Sequence, residues 1–251
     1  MFLIFLFLVF LCWGSFLNVV AYRLIMGQNI LYPRSSCPNC SNQIAWYDNI
    51  PVLSWIILKG KCRSCRHTIS LLYPFIELLT AFSLLALYTI VPHIYFYPYF
   101  IFFSALIITI RSDLERMLIS QFVTIFLIPL GLLFSWLGWL PIAVANSLLG
   151  AVIGYGFLFL MSKIFYFFTG KEGIGQGDLE LLGFIGSFIG IAGCWISLFL
   201  GSFIGALAGL LYIRTKKEKR YIKIPFGPFL ALGAINFVLF SDTLKLLILR
   251  I

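Results

Sequence analysis

Apolar residues run along this chain in long unbroken stretches, at 2–22, 71–91, 95–112, 119–138, 142–165, 179–193, 195–213 and 226–246. None alternates with period two, so none has the pattern of a half-buried strand. A helix that crosses a ~30 Å hydrocarbon core needs roughly 20 apolar residues. Only helices and closed barrels satisfy their backbone polar groups in lipid, and continuous runs select helices. The pattern therefore predicts an all-α polytopic membrane protein with about eight transmembrane helices. The run at 179–193 is short and rich in Gly, so its ends are the least defined. Polar sequence is confined to 23–70 and 214–224. The expected division is residues 1–70, a first helix with its polar loop, and residues 71–251, the helical bundle. No basic residue precedes the first run and no small-x-small site follows it, so a retained helix is expected rather than a cleaved signal.

Composition agrees with this pattern. The 251 residues are 61% hydrophobic and 11% charged, against about 25% charged in a typical soluble domain. The placement of charge adds orientation. Arg23, Arg34, Lys59, Lys61, Arg63 and Arg66 lie between the first two runs. Arg111 and Arg116 follow the third, and Lys163 and Lys171 the fifth. Arg214, Lys216, Lys217, Lys219, Arg220 and Lys223 follow the seventh. With eight helices all four regions fall on one side, which the positive-inside rule makes cytoplasmic. Both termini are then expected outside, with Lys245 and Arg250 near the far side. The net charge of +9 is split among short loops, so nucleic acid is not an expected partner. Membrane lipid with anionic headgroups is.

The polar loop carries Cys37-Pro38-Asn39-Cys40 and Cys62-Arg63-Ser64-Cys65. Two C-x2-C pairs suit a closed tetrahedral zinc site of four thiolates, Cys37, Cys40, Cys62 and Cys65. Disulfides are the competing reading, and a cytoplasmic location disfavours them. Four protein ligands leave no open position for water, so the expected role is structural. Lys61, Arg63 and Arg66 would offset thiolate charge. Cys12 and Cys194 lie in apolar runs and read as packing residues.

Of nine acidic residues, those at membrane depth need explaining, because an ionisable group there is costly. Asp113 follows the third apolar run. Asp178 closes Glu172-Gly173-Ile174-Gly175-Gln176-Gly177-Asp178 and opens the sixth. The third helix ends on the basic side and the sixth begins there, so the helix count alone sets both aspartates at one depth. Two carboxylates that meet can share one proton. One can act as base on water while its protonated partner polarises a carbonyl, which is aspartyl-protease chemistry. Gly173, Gly175 and Gly177 would let an extended substrate approach the backbone. Asp178 would also suit a helix N-cap, and Asp113 a pair with Arg116. The turn lacks G-x-G-x-x-G spacing and follows no strand, so it is not a dinucleotide site. Glu77 is expected to hydrogen-bond within the bundle. A proton-relay transporter would show broken helices or inverted repeats, and no repeat is evident.

Gly175-x-Gly177-Asp178 resembles the GxGD signature of intramembrane aspartyl peptidases, and the chain as a whole is similar to bacterial type IV prepilin peptidases. The resemblance runs through Gly14-Ser15-Phe16-Leu17-Asn18, Ser36-Cys37-Pro38-x-Cys40, Trp46-Tyr47-Asp48-Asn49-Ile50-Pro51, Gly60-Lys61-Cys62-Arg63-x-Cys65, Tyr73-Pro74, Glu77 and Pro225-Phe226-Gly227-Pro228. It implies cleavage of the basic leader of type IV prepilins or pseudopilins after a Gly at the cytoplasmic face. It implies Asp113 and Asp178 as the catalytic dyad, with Gly175 and Gly177 beside the substrate. It also implies N-methylation of the new amino terminus from S-adenosylmethionine, associated with the cysteine loop of residues 1–70. No Rossmann-type pattern is present, so the methyl transfer and its donor rest on the resemblance. The chain departs from the family pattern at Ser120-Gln121, where Pro-Asp is common, and at Glu180, where Lys is common. Both departures bear on local electrostatics and substrate preference.

Overall fold

A computed structural model describes residues 1–32, 34–171, 173–215 and 224–249. Glu172, Lys216, Lys217, Glu218, Lys219, Arg220, Lys223 and Arg250 lie outside the described residues, as do the side chains of Asp242 and Lys245. Among the described residues the regular structure is helical, with two isolated β-bridges. Among the described residues, five helices are long and apolar enough to cross a membrane. The chain forms two compact units, Met1–Thr89 and Ile90–Ile251.

In the first unit α1 (Phe2–Ile25) and α3 (Leu72–Ile90) run antiparallel. Phe2 meets Tyr88 and Phe7 meets Phe82, with ring centroids 6.1 and 5.2 Å apart. Further along, Asn18 Nδ2 donates to the Tyr73 carbonyl at 3.2 Å. Gly14 makes the close approach possible, since a Cβ there would lie 2.9 Å from Glu77 Cα and 2.9 Å from Thr80 Cβ. The outward side chains, among them Phe5, Leu8 and Phe82, are apolar and exposed, as lipid-facing positions require. The loop joining the two helices carries a 3-10 turn at Trp46–Asn49 and the short α2 (Leu53–Ile57).

The second unit contains α4 (His93–Arg116), two 3-10 turns at Gln121–Val123 and Ile125–Leu127, α5 (Ile128–Trp136), α6 (Val144–Thr169), α7 (Gln176–Thr215) and α8 (Gly227–Leu249). The runs expected as separate helices at 179–193 and 195–213 are joined as the two arms of α7, interrupted at Gly190 (φ 70°, ψ −173°). The chain reverses there. Cys194 Sγ lies 4.0 Å from the Leu182 carbonyl oxygen, whereas twelve residues of straight helix would separate them by roughly 18 Å. Both also meet α6 at Gly154, where an added Cβ would lie 2.7 Å from Leu182 O and 2.9 Å from Cys194 Sγ. The reversal therefore comes at Gly190, inside the run expected to continue to residue 193. Asn146 Oδ1 accepts from the Ile191 N–H at 3.1 Å and secures the turn. The first arm, 176–189, packs on α4 and α5 through Phe102, Phe184, Phe188 and Phe134, and Phe102 stacks on Phe188 at 4.9 Å. The second arm packs on α8, where Gly201 and Gly233 admit the facing backbone.

Candidate active site and metal centre

Asp113 occupies the last turn of α4. Met117 ends that helix in the left-handed conformation (φ 55°), its N–H donating to the Asp113 carbonyl at 2.9 Å. The side chain is buried and faces the start of α8, where the Gly227 N–H donates to Asp113 Oδ2 at 3.0 Å. The first N–H groups of a helix have no partner within it, and Pro228 directs the chain into α8 at once. A Cβ on Gly227 would lie 2.8 Å from Asp113 Oδ2, so a larger residue there would make the carboxylate or the start of α8 shift. Asp113 is thus hydrogen-bonded to backbone rather than paired with Arg116. The ion pairs among the described residues are Arg63–Asp48 and Arg111–Glu115.

Asp178 lies in the first turn of α7, which begins at Gln176, so it is inside the helix and not its N-cap. Its N–H donates to the Gly175 carbonyl at 3.1 Å. One carboxylate oxygen, Oδ1, is buried with no hydrogen-bond partner among the described residues. A buried, unpartnered carboxylate oxygen is costly and leaves an acceptor for a water or a substrate.

The Phe102–Phe188 stack, with Ile119 beyond the end of α4 lying against Gly177, sets the relative level of the two aspartates. From the stack, Asp113 lies eleven residues on along α4 and Asp178 ten residues back along the antiparallel first arm of α7. At about 1.5 Å per residue both sit roughly 15 Å from the stack, towards the same end. Ile119, just past α4, lies between their neighbours. Its side chain meets the position a Cβ would take on Gly177, at 2.8 Å, and on Gly227, at 3.0 Å. A Cβ on Gly175 would lie 3.3 Å from Asp178 Oδ2.

Sequence reasoning missed the partners of three carboxylates. The Gly227–Asp113 bond spans 114 residues; the helix-opening Gly-Pro was its only local sign. Glu180, almost wholly buried, accepts from Gln121 Nε2 at 3.0 Å, Gln176 Nε2 at 3.2 Å and Thr124 Oγ1 at 3.4 Å. Two departures from the family pattern, Gln121 and Glu180, thus meet in one hydrogen bond. Glu77, buried in the first unit, accepts from the Val52 N–H at 2.8 Å.

The loop of the first unit contains two equivalent hairpins, 35–44 and 60–69. Ser36 bridges Gln43, as Lys61 bridges Thr68. Cys37 N–H donates to Asn42 O, as Cys62 N–H donates to His67 O, and Ser41 and Arg66 both take positive φ. The four sulfurs of Cys37, Cys40, Cys62 and Cys65 lie within 4.8 Å of one another, with Cys37 and Cys65 at 3.8 Å. A tetrahedron with metal–sulfur bonds of ~2.3 Å has edges of ~3.8 Å, so the donor set fits. The thiols are held unequally. The His67 backbone N–H and the Asn39 amide bring Cys65 down to about 6. The Asn42 backbone N–H favours the Cys40 thiolate, but burial and the neighbouring sulfurs push that thiol up to about 11. Four sulfurs so close ionise together only around a cation, and this cluster can hold a metal ion. Arg63 is committed elsewhere. Its Nε and Nη2 donate to Asp48 at 2.7 and 2.6 Å, holding that carboxyl below its usual range.

The Bacterial Peptidase A24 N-terminal domain matches residues 8–91, and the Type IV leader peptidase family matches residues 100–210. A prepilin leader peptidase/N-methyltransferase of Aeromonas salmonicida (strain A449) is 36% identical over 92% of this chain and 88% of its own. The chain belongs to the type IV leader peptidase family. Family relatives of the same description from Pectobacterium carotovorum subsp. carotovorum (88% of this chain, 87% of its own) and Pseudomonas aeruginosa (91% and 87%) are each 32% identical. No solved structure matches it. With apolar helices long enough to span lipid and these relatives, the chain is a multi-pass membrane protein.

Proposed function

We propose that this protein is an intramembrane aspartyl endopeptidase that removes the basic leader of type IV prepilins or pseudopilins and N-methylates the new amino terminus. The observation that carries the reading is the pair Asp113 and Asp178, at one level of two antiparallel helices, with Asp178 Oδ1 buried and unpartnered. A water held between the carboxyl groups loses a proton to the ionised one as its oxygen attacks the scissile carbonyl. The protonated partner donates a hydrogen bond to the carbonyl oxygen as it becomes negative. Collapse of the tetrahedral species breaks the C–N bond, and the departing amine takes a proton from the dyad. The Gly227 N–H holds Asp113 in place through the cycle. Gly175 and Gly177 border the strip on which the extended substrate lies.

On this reading the chain crosses the bilayer eight times, with both termini outside and the dyad at the cytoplasmic face, next to the basic loops. Residues 71–251 carry the peptidase. Residues 1–70 carry the methyl-transfer function, for which S-adenosylmethionine would supply the methyl group. Cys37, Cys40, Cys62 and Cys65 would hold a structural zinc ion that fixes the two hairpins against each other.

The test is incubation of the purified protein with a synthetic prepilin leader peptide, with and without S-adenosylmethionine, read by mass. The wild type is expected to yield the cleaved peptide, and the cleaved, methylated one when the donor is present. Asp113→Asn and Asp178→Asn are expected to insert normally and to lose cleavage. Normal processing by either variant would remove the dyad.

A further inference from the structure

Besides the two aspartates, the second unit buries the carboxylate of Glu180, which is 1% exposed and uninvolved in the proposed chemistry. Among the described residues its hydrogen bonds come from neutral donors. Gln176 is on its own helix one turn back, whereas Gln121 and Thr124 lie in the turns that follow α4. A carboxylate only accepts, so it holds both glutamine amides with their nitrogens inward. A buried acceptor that lost these donors would stand uncompensated.

What the Gln121–Thr124 turn carries is Ile119, two residues before Gln121. Its side chain fills the space over Gly177, the residue before Asp178, and over Gly227, the donor to Asp113. Ile119 thus lies along the strip where, on the proposed function, the substrate backbone binds. No bond from its own side chain can hold it there. The nearest polar tie between its segment and α7 is the Gln121–Glu180 hydrogen bond, 59 residues apart in sequence.

We infer that Glu180 is a positioning residue, which through Gln121 and Thr124 seats Ile119 against the glycines beside both aspartates and so sets the width of the substrate strip. A loosened Ile119 segment would let the peptide bond sit in several registers over the dyad. Turnover then falls although both aspartates are intact.

The experiment places Ile119→Cys in otherwise wild-type, Glu180→Ala and Gln121→Glu/Glu180→Gln backgrounds. Labelling by a maleimide is localised by mass spectrometry, and leader cleavage is measured in the same backgrounds without the cysteine. The exchanged pair restores one amide–carboxylate bond with its polarity reversed. Glu180→Ala is expected to speed labelling of the introduced thiol and to lower kcat/KM about tenfold, equivalent to about 1.4 kcal/mol in the transition state. The exchanged pair is expected to recover both. A purely structural Glu180 would lower the melting midpoint while leaving labelling and turnover at the assay temperature unchanged, and that result overturns the inference, as does an exchanged pair that recovers neither. If the wild type cleaves no leader peptide the proposed function falls, while the labelling comparison still decides the role of Glu180.

Discussion

Gly227 shows how much of the site rests on one missing methyl group. It opens α8, gives its N–H to Asp113 Oδ2 and lies against Ile119 Cδ1. An alanine Cβ would come within 2.8 Å of the carboxylate oxygen it is meant to hold. Either the aspartate swings away or α8 shifts, and each breaks the hydrogen bond. Gly227→Ala is therefore expected to lower kcat/KM for leader cleavage by at least about tenfold, or about 1.4 kcal/mol. Steady-state assays with the leader peptide check it, and near wild-type turnover would show that Asp113 needs no such support. The sequence displayed Asp113 and Asp178 plainly, because a carboxylate next to an apolar run is conspicuous. It concealed Gly227 and Gln121 as partners, because a contact across 114 or 59 residues leaves no local periodicity.

At the scale of elements, α7 shows both what apolar patterning conveys and what it omits. Two runs with glycines between them announce two helical arms, and both arms are present. Which glycine turns the chain depends on backbone angles that composition does not record. Gly190 takes φ 70° and ψ −173°, while Gly193 lies within the second arm. That region of backbone space is essentially closed to residues with a Cβ, at a cost of roughly 1–3 kcal/mol. A Cβ on Gly190 would also lie 2.7 Å from Asn146 Nδ2, the amide group that caps the turn. Gly190→Ala is expected to destabilise the protein by roughly 1–3 kcal/mol. Gly193→Ala should cost less, since Gly193 keeps helical backbone angles and its Cβ would press on the Ile189 side chain rather than on a capped turn. Thermal unfolding of the two variants in one detergent compares them, and equal midpoints would remove the special role of Gly190. The cysteine hairpins were more legible, because C-x2-C spacing is itself a statement about local geometry. Their correspondence at a shift of 25 residues emerges only from the shared bridges and left-handed positions of residues 35–44 and 60–69.

For the molecule as a whole, the chemistry divides along the chain. Both aspartates, Gly227 and the Glu180 bonds belong to Ile90–Ile251, and the four cysteines and Glu77 belong to Met1–Thr89. Glu77 ties α3 to Val52 in the loop, and Arg63 ties the second cysteine hairpin to Asp48 in the preceding 3-10 turn. Loss of the metal should therefore be felt first within residues 1–70. The two hairpins are too short to hold each other by a core, and small metal-bound elements draw their folding energy from the ion. Cys37→Ser is expected to empty the site, seen as zinc content near nil by elemental analysis of the purified protein. On the proposed division the methylated product should fall about tenfold, about 1.4 kcal/mol, while cleavage stays within about threefold, under about 1 kcal/mol. Both are read by mass from one incubation with the leader peptide and S-adenosylmethionine. Cleavage lost in step with methylation would mean that the peptidase depends on the cysteine hairpins. Zinc retained by the variant, or absent from the wild type, would mean that the four sulfurs serve some other end.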